Sequence, residues 1–478
     1  MGDGKIIIKN TVWLTISNFF PRIIQTILIL YTTRQIGDIG IGKYYTISSL
    51  VAIVILITDF AANSLVTREV AKDRNSASSY FWNVSLFKIA LALSTYAILI
   101  ALTYILGYPK DIISGAYIFG AYMVLSVFTG LIQSFWQAFE EMHFISILNS
   151  LVGVCNFIIT FILIQNGGGF VSLIWGLLGS SIVGLLFCLI FFPRRMVIPK
   201  TPIRKDILGT IIKLSLPFAL MGVFSTIYFR IDTVFLSKFQ TEAVVGQYGT
   251  AHKIIEFLQM VPYALLGAVY PAFSRLYSAD FSKFSSLYKI TFKIISILSY
   301  PVLIGILLLS ADILRIFGSE FTGATIALNL LAIALFFMFP NSLFMSVCMA
   351  IDKIKVATIV ALGDVVLGVL LNLFFIPSWG ANLSLNGAAL TAVICEVFNF
   401  IVLAIYLRRA IIPLPLLKQN GKLLMAGIIM GIAVFMVRRY GLVAAMAVGI
   451  ITYPLALLIL KAVTYQEINI IRSIITRK

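Results

Sequence analysis

Uninterrupted apolar runs of about twenty residues or more recur along almost the whole chain, and that feature alone removes most folds from consideration. With 60% hydrophobic and 12% charged residues, 478 residues cannot hide their apolar surface in soluble cores. A bilayer can serve as the solvent instead. Lipid satisfies no backbone polar group, so spanning segments must be helices or a closed barrel. The runs are continuous and lack the in/out alternation of barrel strands. The chain therefore reads as an all-α polytopic membrane protein, with a mean hydropathy of +1.03.

About fourteen spans are expected: 11–33, 43–66, 80–106, 112–138, 143–165, 170–192, 213–237, 243–270, 284–310, 322–350, 356–376, 385–407, 423–437 and 442–460. The first run is too long for a signal-peptide core and carries Arg22, so it reads as a retained span. Cys155, Cys188, Cys348 and Cys395 all fall inside spans without metal-type spacing. With two histidines, no P-loop, no His-Glu-x-x-His and no nucleophile elbow, the sequence points away from an enzyme and from metal chemistry. No loop is long enough for a soluble domain. A membrane-embedded glycosyltransferase would need such a loop.

The net charge of +17 is a topology signal. With an inside N-terminus, 22 Lys/Arg and nine acids fall in inside loops and termini. Six Lys/Arg and five acids fall outside, and eight and five lie within spans. The excess is +13 inside against +1 outside, which is the positive-inside rule with both termini cytoplasmic. Nucleic acid is not implied. The tail places Ile468, Ile471 and Ile475 at helical spacing beside Arg472, Arg477 and Lys478, and reads as an amphipathic surface helix or a frayed basic end.

The chain also repeats itself. At a shift of 204, Tyr31 aligns with Phe235, Arg34 with Lys238, Gly42 with Gly246 and Tyr44 with Tyr248. Phe87-Lys88 aligns with Phe292-Lys293 at 205, and Ala138-Phe139-Glu140 with Ala350-Ile351-Asp352 at 212. Two six-span units of like orientation follow, since six is even. The expected division is 1–206 and 207–410 for the two lobes, with 411–478 forming an extra two-helix hairpin and the amphipathic tail.

The 6 + 6 + 2 plan is accompanied by Asp59-Phe60…Arg68-Glu69-Val70-Ala71-Lys72 and Arg230-Ile231-Asp232…Gly246-Gln247-Tyr248…Ala251-His252-Lys253. In these features the chain resembles the polysaccharide-exporting branch of the MATE-like superfamily, above all the Wzx-type polysaccharide and O-antigen flippases. The resemblance implies paired six-helix lobes that move a lipid-linked oligosaccharide, a polyprenyl-pyrophosphate glycan, from inner to outer leaflet by alternating access. It also implies a prokaryotic cytoplasmic membrane. Membrane lipids and glycan polymerase or ligase machinery are the implied partners of a monomer.

Charges inside spans are costly and so mark candidate sites. Arg22 lies ~16 Å along the first span, near mid-bilayer, directly after Pro21, which is expected to kink the helix. It could bind phosphate bidentately or pair with an acid on a neighbouring helix. Lys88 and Lys293 are repeat mates suited to a shared cationic cleft, and Lys289 extends their stripe, although lysines near span ends also snorkel. Arg230 could line the route or anchor at the interface. Lys253 and Glu256 share a helical face and could neutralise each other, with His252 beside them as a polar wall residue.

Asp364 and Glu396 lie well inside their spans. They are ion-coupling candidates, with Glu256, for H+ or for Na+ held by oxygens that include Asn372 or Asn399. Balancing the basic residues is their other reading. Tyr44 and Tyr248 could stack on sugars, and Trp136 and Trp175 are expected at the membrane interfaces. A MATE-type cation or multidrug antiporter and a lipid II flippase are the alternatives to a glycan flippase.

Overall fold

The computed structural model describes residues 2–59, 62–192, 205–410 and 418–462, and these are helices joined by short turns, with no strand among them. The tail from 463 onward, the linker residues 193–204 and the side chain of Asp59 lie outside the described set. The N-terminal series comprises α1 (Gly2–Asp59), α2 (Ala62–Lys72), α3 (Ala77–Ile105), α4 (Lys110–Ala138), α5 (Met142–Gln165) and α6 (Val171–Ile190). There follow α7 (Lys205–Phe239), α8 (Glu242–Leu258), α9 (Met260–Ala279), α10 (Phe281–Arg315), α11 (Thr325–Ala350), α12 (Ile354–Phe375) and α13 (Ser384–Ala410). The chain closes with α14 (Lys418–Val437) and α15 (Leu442–Ile459).

Twelve described segments are long and apolar enough to cross a membrane. The first, Phe20–Leu56, contains two of the expected spans on either side of a break at Gly37, and α7 carries the expected span 213–237. About fourteen membrane helices result.

The break in α1 falls at Gly37 (φ 68°, ψ −175°), in the expected turn between the first two spans, and no break accompanies Pro21. Proline's fixed φ is itself helical, and apolar helices tolerate the lost hydrogen bond where neighbours pack closely. Here Pro21 lies against Gly153 of α5, and Asn149 donates to Ser17 Oγ at 2.8 Å one turn before it. Gly37 instead adopts a left-handed φ open to glycine at little cost. A second turn ends α3, where Gly107 (φ 66°) and the bond from Tyr108 N–H to Thr103 O at 3.1 Å satisfy the last carbonyls.

The chain forms two compact units, Met1–Gly246 and Gln247–Lys478. In the first, α5 packs on α1 and α6, and α7 packs along α1. Trp136 is wholly buried there, stacked on Phe144 and edge-on to Phe187. It is a core residue rather than the interface anchor its position near a span end suggests, whereas Trp175 is 48% exposed. Replacing Trp136 with alanine should destabilise the unit by ~3–5 kcal/mol. Thermal unfolding in detergent checks this, and a change below ~1 kcal/mol would contradict the packing role.

In the second unit α11 is central, packed by α9, α10 and α13. The α14–α15 hairpin lies on α10, where Gly427 admits Ile304 and Tyr453 donates to Ile297 O at 2.8 Å. Asp280 caps α10 by accepting from Lys283 N–H, which with the Lys283 ammonium holds its carboxyl below the ordinary range. Faces turned outward on α12 and α15 carry branched apolar residues such as Ile359, Val366, Ile450 and Leu455, as contact with acyl chains requires.

Candidate functional site

Three groupings of polar residues stand out, each built within one unit. The first surrounds a helix crossing. A Cβ on Gly42 would lie 1.9 Å from the carbonyl oxygen of Glu242, and one on Gly246 would lie 2.0 Å from that of Asp38. Asp38 and Gly42 are the mates of Glu242 and Gly246 at the shift of 204. The repeated segments therefore touch reciprocally, backbone to backbone, as two-fold related surfaces do. Ile41 and its mate Val245 are both fully buried beside them.

Charged and polar contacts tie the same end together. Lys43 donates to Asp111 at the start of α4 and stands 3.9 Å from Glu242 Oε1. Lys238 donates to the carbonyl of Leu106 at the end of α3, and Tyr108 and Ser237 share a hydrogen bond at 2.7 Å. The sequence displayed Gly42-Lys43-Tyr44 as a repeat motif. The close contact needed coordinates, because nothing in one strand of sequence says which backbone a glycine meets.

Arg22, in the same unit, is exposed and forms no ion pair among the described residues, although it sits amid apolar neighbours. Thr26 donates its hydroxyl to the Arg22 carbonyl at 2.8 Å, which turns that hydroxyl back onto the helix. Lys88 is only 2% exposed and donates to Asn63 of α2 at 2.7 Å. Its mate Lys293 is 8% exposed on α10. Both lysines are thus enclosed within their own units, while Lys289, a turn earlier on α10, is exposed. On α7, Asp232 is buried and Arg230 partly exposed.

The second unit holds the other candidates. Lys253 donates to Glu256 Oε2 at 2.9 Å, and His252 Nδ1 lies 3.5 Å from Glu256 Oε1, so these three form one cluster on α8. Deeper in, Asp364 of α12 accepts from Asn399 of α13 at 2.8 Å. Glu396 of α13 accepts from Asn341 of α11 at 2.8 Å. All four residues are buried, and the Oδ1 atoms of Asp364, Asn399 and Asn341 receive no hydrogen bond. Buried oxygens so placed lack the donors that such groups normally find. Asn341 was not foreseen: a single asparagine inside an apolar run gives no spacing signal. Tyr248 is fully buried, and Tyr44 is partly buried against Phe119, so neither presents an open face to a sugar.

Long apolar helices in a repeated bundle, with charged side chains held at mid-span, define a membrane transporter of MATE-like fold. The chain belongs to the polysaccharide biosynthesis protein family, whose profile matches residues 7–277. The MatE profile matches residues 217–374. Two proteins of Haloferax volcanii are similar over most of their length. "Probable flippase AglR" is 22% identical, with 89% of this chain and 88% of the relative covered. "Probable low-salt glycan biosynthesis flippase Agl15" is 23% identical, with 88% and 89% covered. Among solved structures, the lipid II flippase MurJ in an inward closed conformation superposes with a TM-score of 0.71 at 18% identity, covering 96% of this chain and 99% of that one.

Proposed function

We propose that this protein is a non-enzymatic flippase that moves a lipid-linked, anionic oligosaccharide from the inner to the outer leaflet by alternating access. Family membership and the flippase names of both relatives support the class. The observation that carries the chemistry is Arg22. An exposed guanidinium without an ion pair among the described residues, on a helix of the membrane region, needs water or an anion beside it. A polyprenyl diphosphate supplies such an anion, and the planar fork of arginine suits its oxygens. Lys88, Lys293, Arg230 and Lys253 complete the basic set from less exposed positions.

The repeated lobes are 1–206 and 207–410, with 411–478 as the added hairpin and tail. The protein works as a monomer in a prokaryotic cytoplasmic membrane with both termini inside, which agrees with the charge asymmetry of its loops. The crossing at Gly42 and Gly246 then lies at the outer end. Asp364 and Glu396, with Glu256, couple movement to H+ or Na+. Glycan polymerase or ligase machinery consumes the product.

Arg22→Ala tests the reading. Surface glycan should fall by roughly tenfold or more, the value of one or two charge-assisted hydrogen bonds, while the amount of protein in the membrane stays constant. Arg22→Lys should recover part of the export, because the charge returns without the bidentate fork. Wild-type export by Arg22→Ala would remove Arg22 from the substrate route.

A further inference from the structure

The outside loops hold only six Lys/Arg, and the three that belong to the second unit, Arg315, Arg438 and Arg439, stand at one corner of it. Arg315 ends α10, while Arg438 and Arg439 open the turn between α14 and α15, the hairpin that lies on α10. That turn is a single 3-10 step, Arg438–Tyr440, closed by Gly441 at φ 110° with its N–H on the Arg438 carbonyl at 3.1 Å. Bases are sparse on this side of a membrane, so their concentration at one corner needs a cause.

Asp312, one turn before Arg315, draws two of them together. Arg315 Nη1 stands 3.5 Å from its Oδ1, and Arg438 Nη2 stands 3.9 Å from its Oδ2. Both separations exceed the ~2.7–2.9 Å of a charge-assisted hydrogen bond. One carboxylate also cannot occupy two guanidinium groups that carry several N–H donors each. Arg439 lies 4.9 Å over the ring of Tyr440 and donates to its hydroxyl at 2.8 Å. Glu320, the other outside-loop acid of this unit, is exposed and forms no ion pair with them. Three arginines against Asp312 leave +2, with most donors unmet among the described residues. In the first unit, by contrast, Lys43 and Lys238 donate to Asp111 and to the Leu106 carbonyl.

The hairpin sets the depth of this corner. Its helices, of 20 and 18 residues, are ~30 Å and ~27 Å long, close to the thickness of a hydrocarbon core. Lys422 donates to the Lys461 carbonyl at 3.3 Å at the far end, so the arginine turn occupies the opposite headgroup layer. Met436 and Val443, on either side of the turn, are 67% and 83% exposed. Acyl chains therefore begin immediately beneath the guanidinium groups, and the layer beside those groups is that of the lipid phosphates.

We propose that Arg315, Arg438 and Arg439 form a binding site for the phosphate of an anionic glycerophospholipid, whose chains lie along the exposed Phe435 and Met436. The lipid joins the end of α10 to the hairpin turn. The free oxygens of a phosphodiester accept paired N–H groups from a guanidinium, and Tyr440 sits at the level where aromatic rings meet headgroups. Interfacial anchoring needs one long base with its stem in lipid. Three guanidinium groups gathered on one carboxylate instead repel one another until an anion settles between them. The site belongs to the added hairpin, so the repeat gives the first unit no counterpart. It rests on the membrane fold alone and holds whatever substrate the protein carries.

Titrating the purified full-length protein in detergent with phosphatidylglycerol tests the site, read by native mass spectrometry and by the rise in melting temperature. Phosphatidylglycerol should bind roughly tenfold more tightly than phosphatidylcholine, the worth of one charge-assisted contact. Changing Arg315→Gln, Arg438→Gln and Arg439→Gln together should erase that preference, and a preference that survived would overturn the site. Arg438→Gln alone should lose part of it, which keeps the test open if the triple variant does not purify. Lys353→Gln with Lys355→Gln, two exposed bases of another loop, should leave the preference intact; an equal loss there would reduce the effect to net charge and overturn the site. Inorganic phosphate and polyprenyl diphosphate serve as the remaining probes. Equal binding of inorganic phosphate would make this a free-anion site, and much tighter binding of polyprenyl diphosphate would assign it to the substrate route. Either result would overturn the resident phospholipid.

Discussion

Gly42→Leu should nearly abolish export. A Cβ at that position falls 1.9 Å from the carbonyl oxygen of Glu242, which is backbone and cannot rotate away, so the whole crossing must separate. Overpacking ordinarily costs ~1–3 kcal/mol and more where backbone is struck, which lowers the population of the crossed state by roughly tenfold to a hundredfold. Gly246→Leu should behave alike, because its contact with Asp38 is the repeat-related copy. Gly222→Ala serves as the control, since no atom lies within 4 Å of its would-be Cβ. Surface glycan, membrane content and protease sensitivity of α1 report the outcome. Normal export by Gly42→Leu would show that the crossing never needs to close during the cycle.

Asp364→Asn should uncouple transport from its driving ion. In vesicles carrying an imposed proton or sodium gradient, the gradient should accelerate flipping by the unsubstituted protein, and that acceleration should shrink by roughly tenfold in the variant, within the usual range of coupling energies. The substitution keeps the shape and removes the ionisable carboxyl that faces Asn399. Glu396→Gln should do less damage, because Asn341 also donates to the backbone carbonyl of residue 396, a contact the substitution leaves in place. Sensitivity to sodium but not to pH would identify the oxygens of Asp364, Asn399 and Asn341 as cation ligands, and the reverse would identify a proton site. Unaltered gradient dependence in both variants would assign the acids to structural hydrogen bonding.

The candidate site was legible in the sequence to different depths. In-span charge marked Arg22, Asp364 and Glu396, since each is conspicuous against apolar surroundings. Charge alone could not distinguish the exposed Arg22 from Lys88, which is enclosed and bonded to Asn63. Trp136 differs from its expected place for a related reason: position near a span end suits an anchor, but aromatic neighbours from two other helices, Phe144 and Phe187, pack on it and it is buried. The turn between the first two expected spans falls at Gly37, where a left-handed φ sets the path, while the backbone stays helical through Pro21.

Composition and hydropathy determined the solvent, the helical class, the number of spans and the repeat, because each of these follows from local runs and their recurrence. Partners across helices were decided in three dimensions. Gly42 on Glu242 and Asn341 on Glu396 depend on which helices pack together, and side-chain spacing along one helix is silent about the surface it meets.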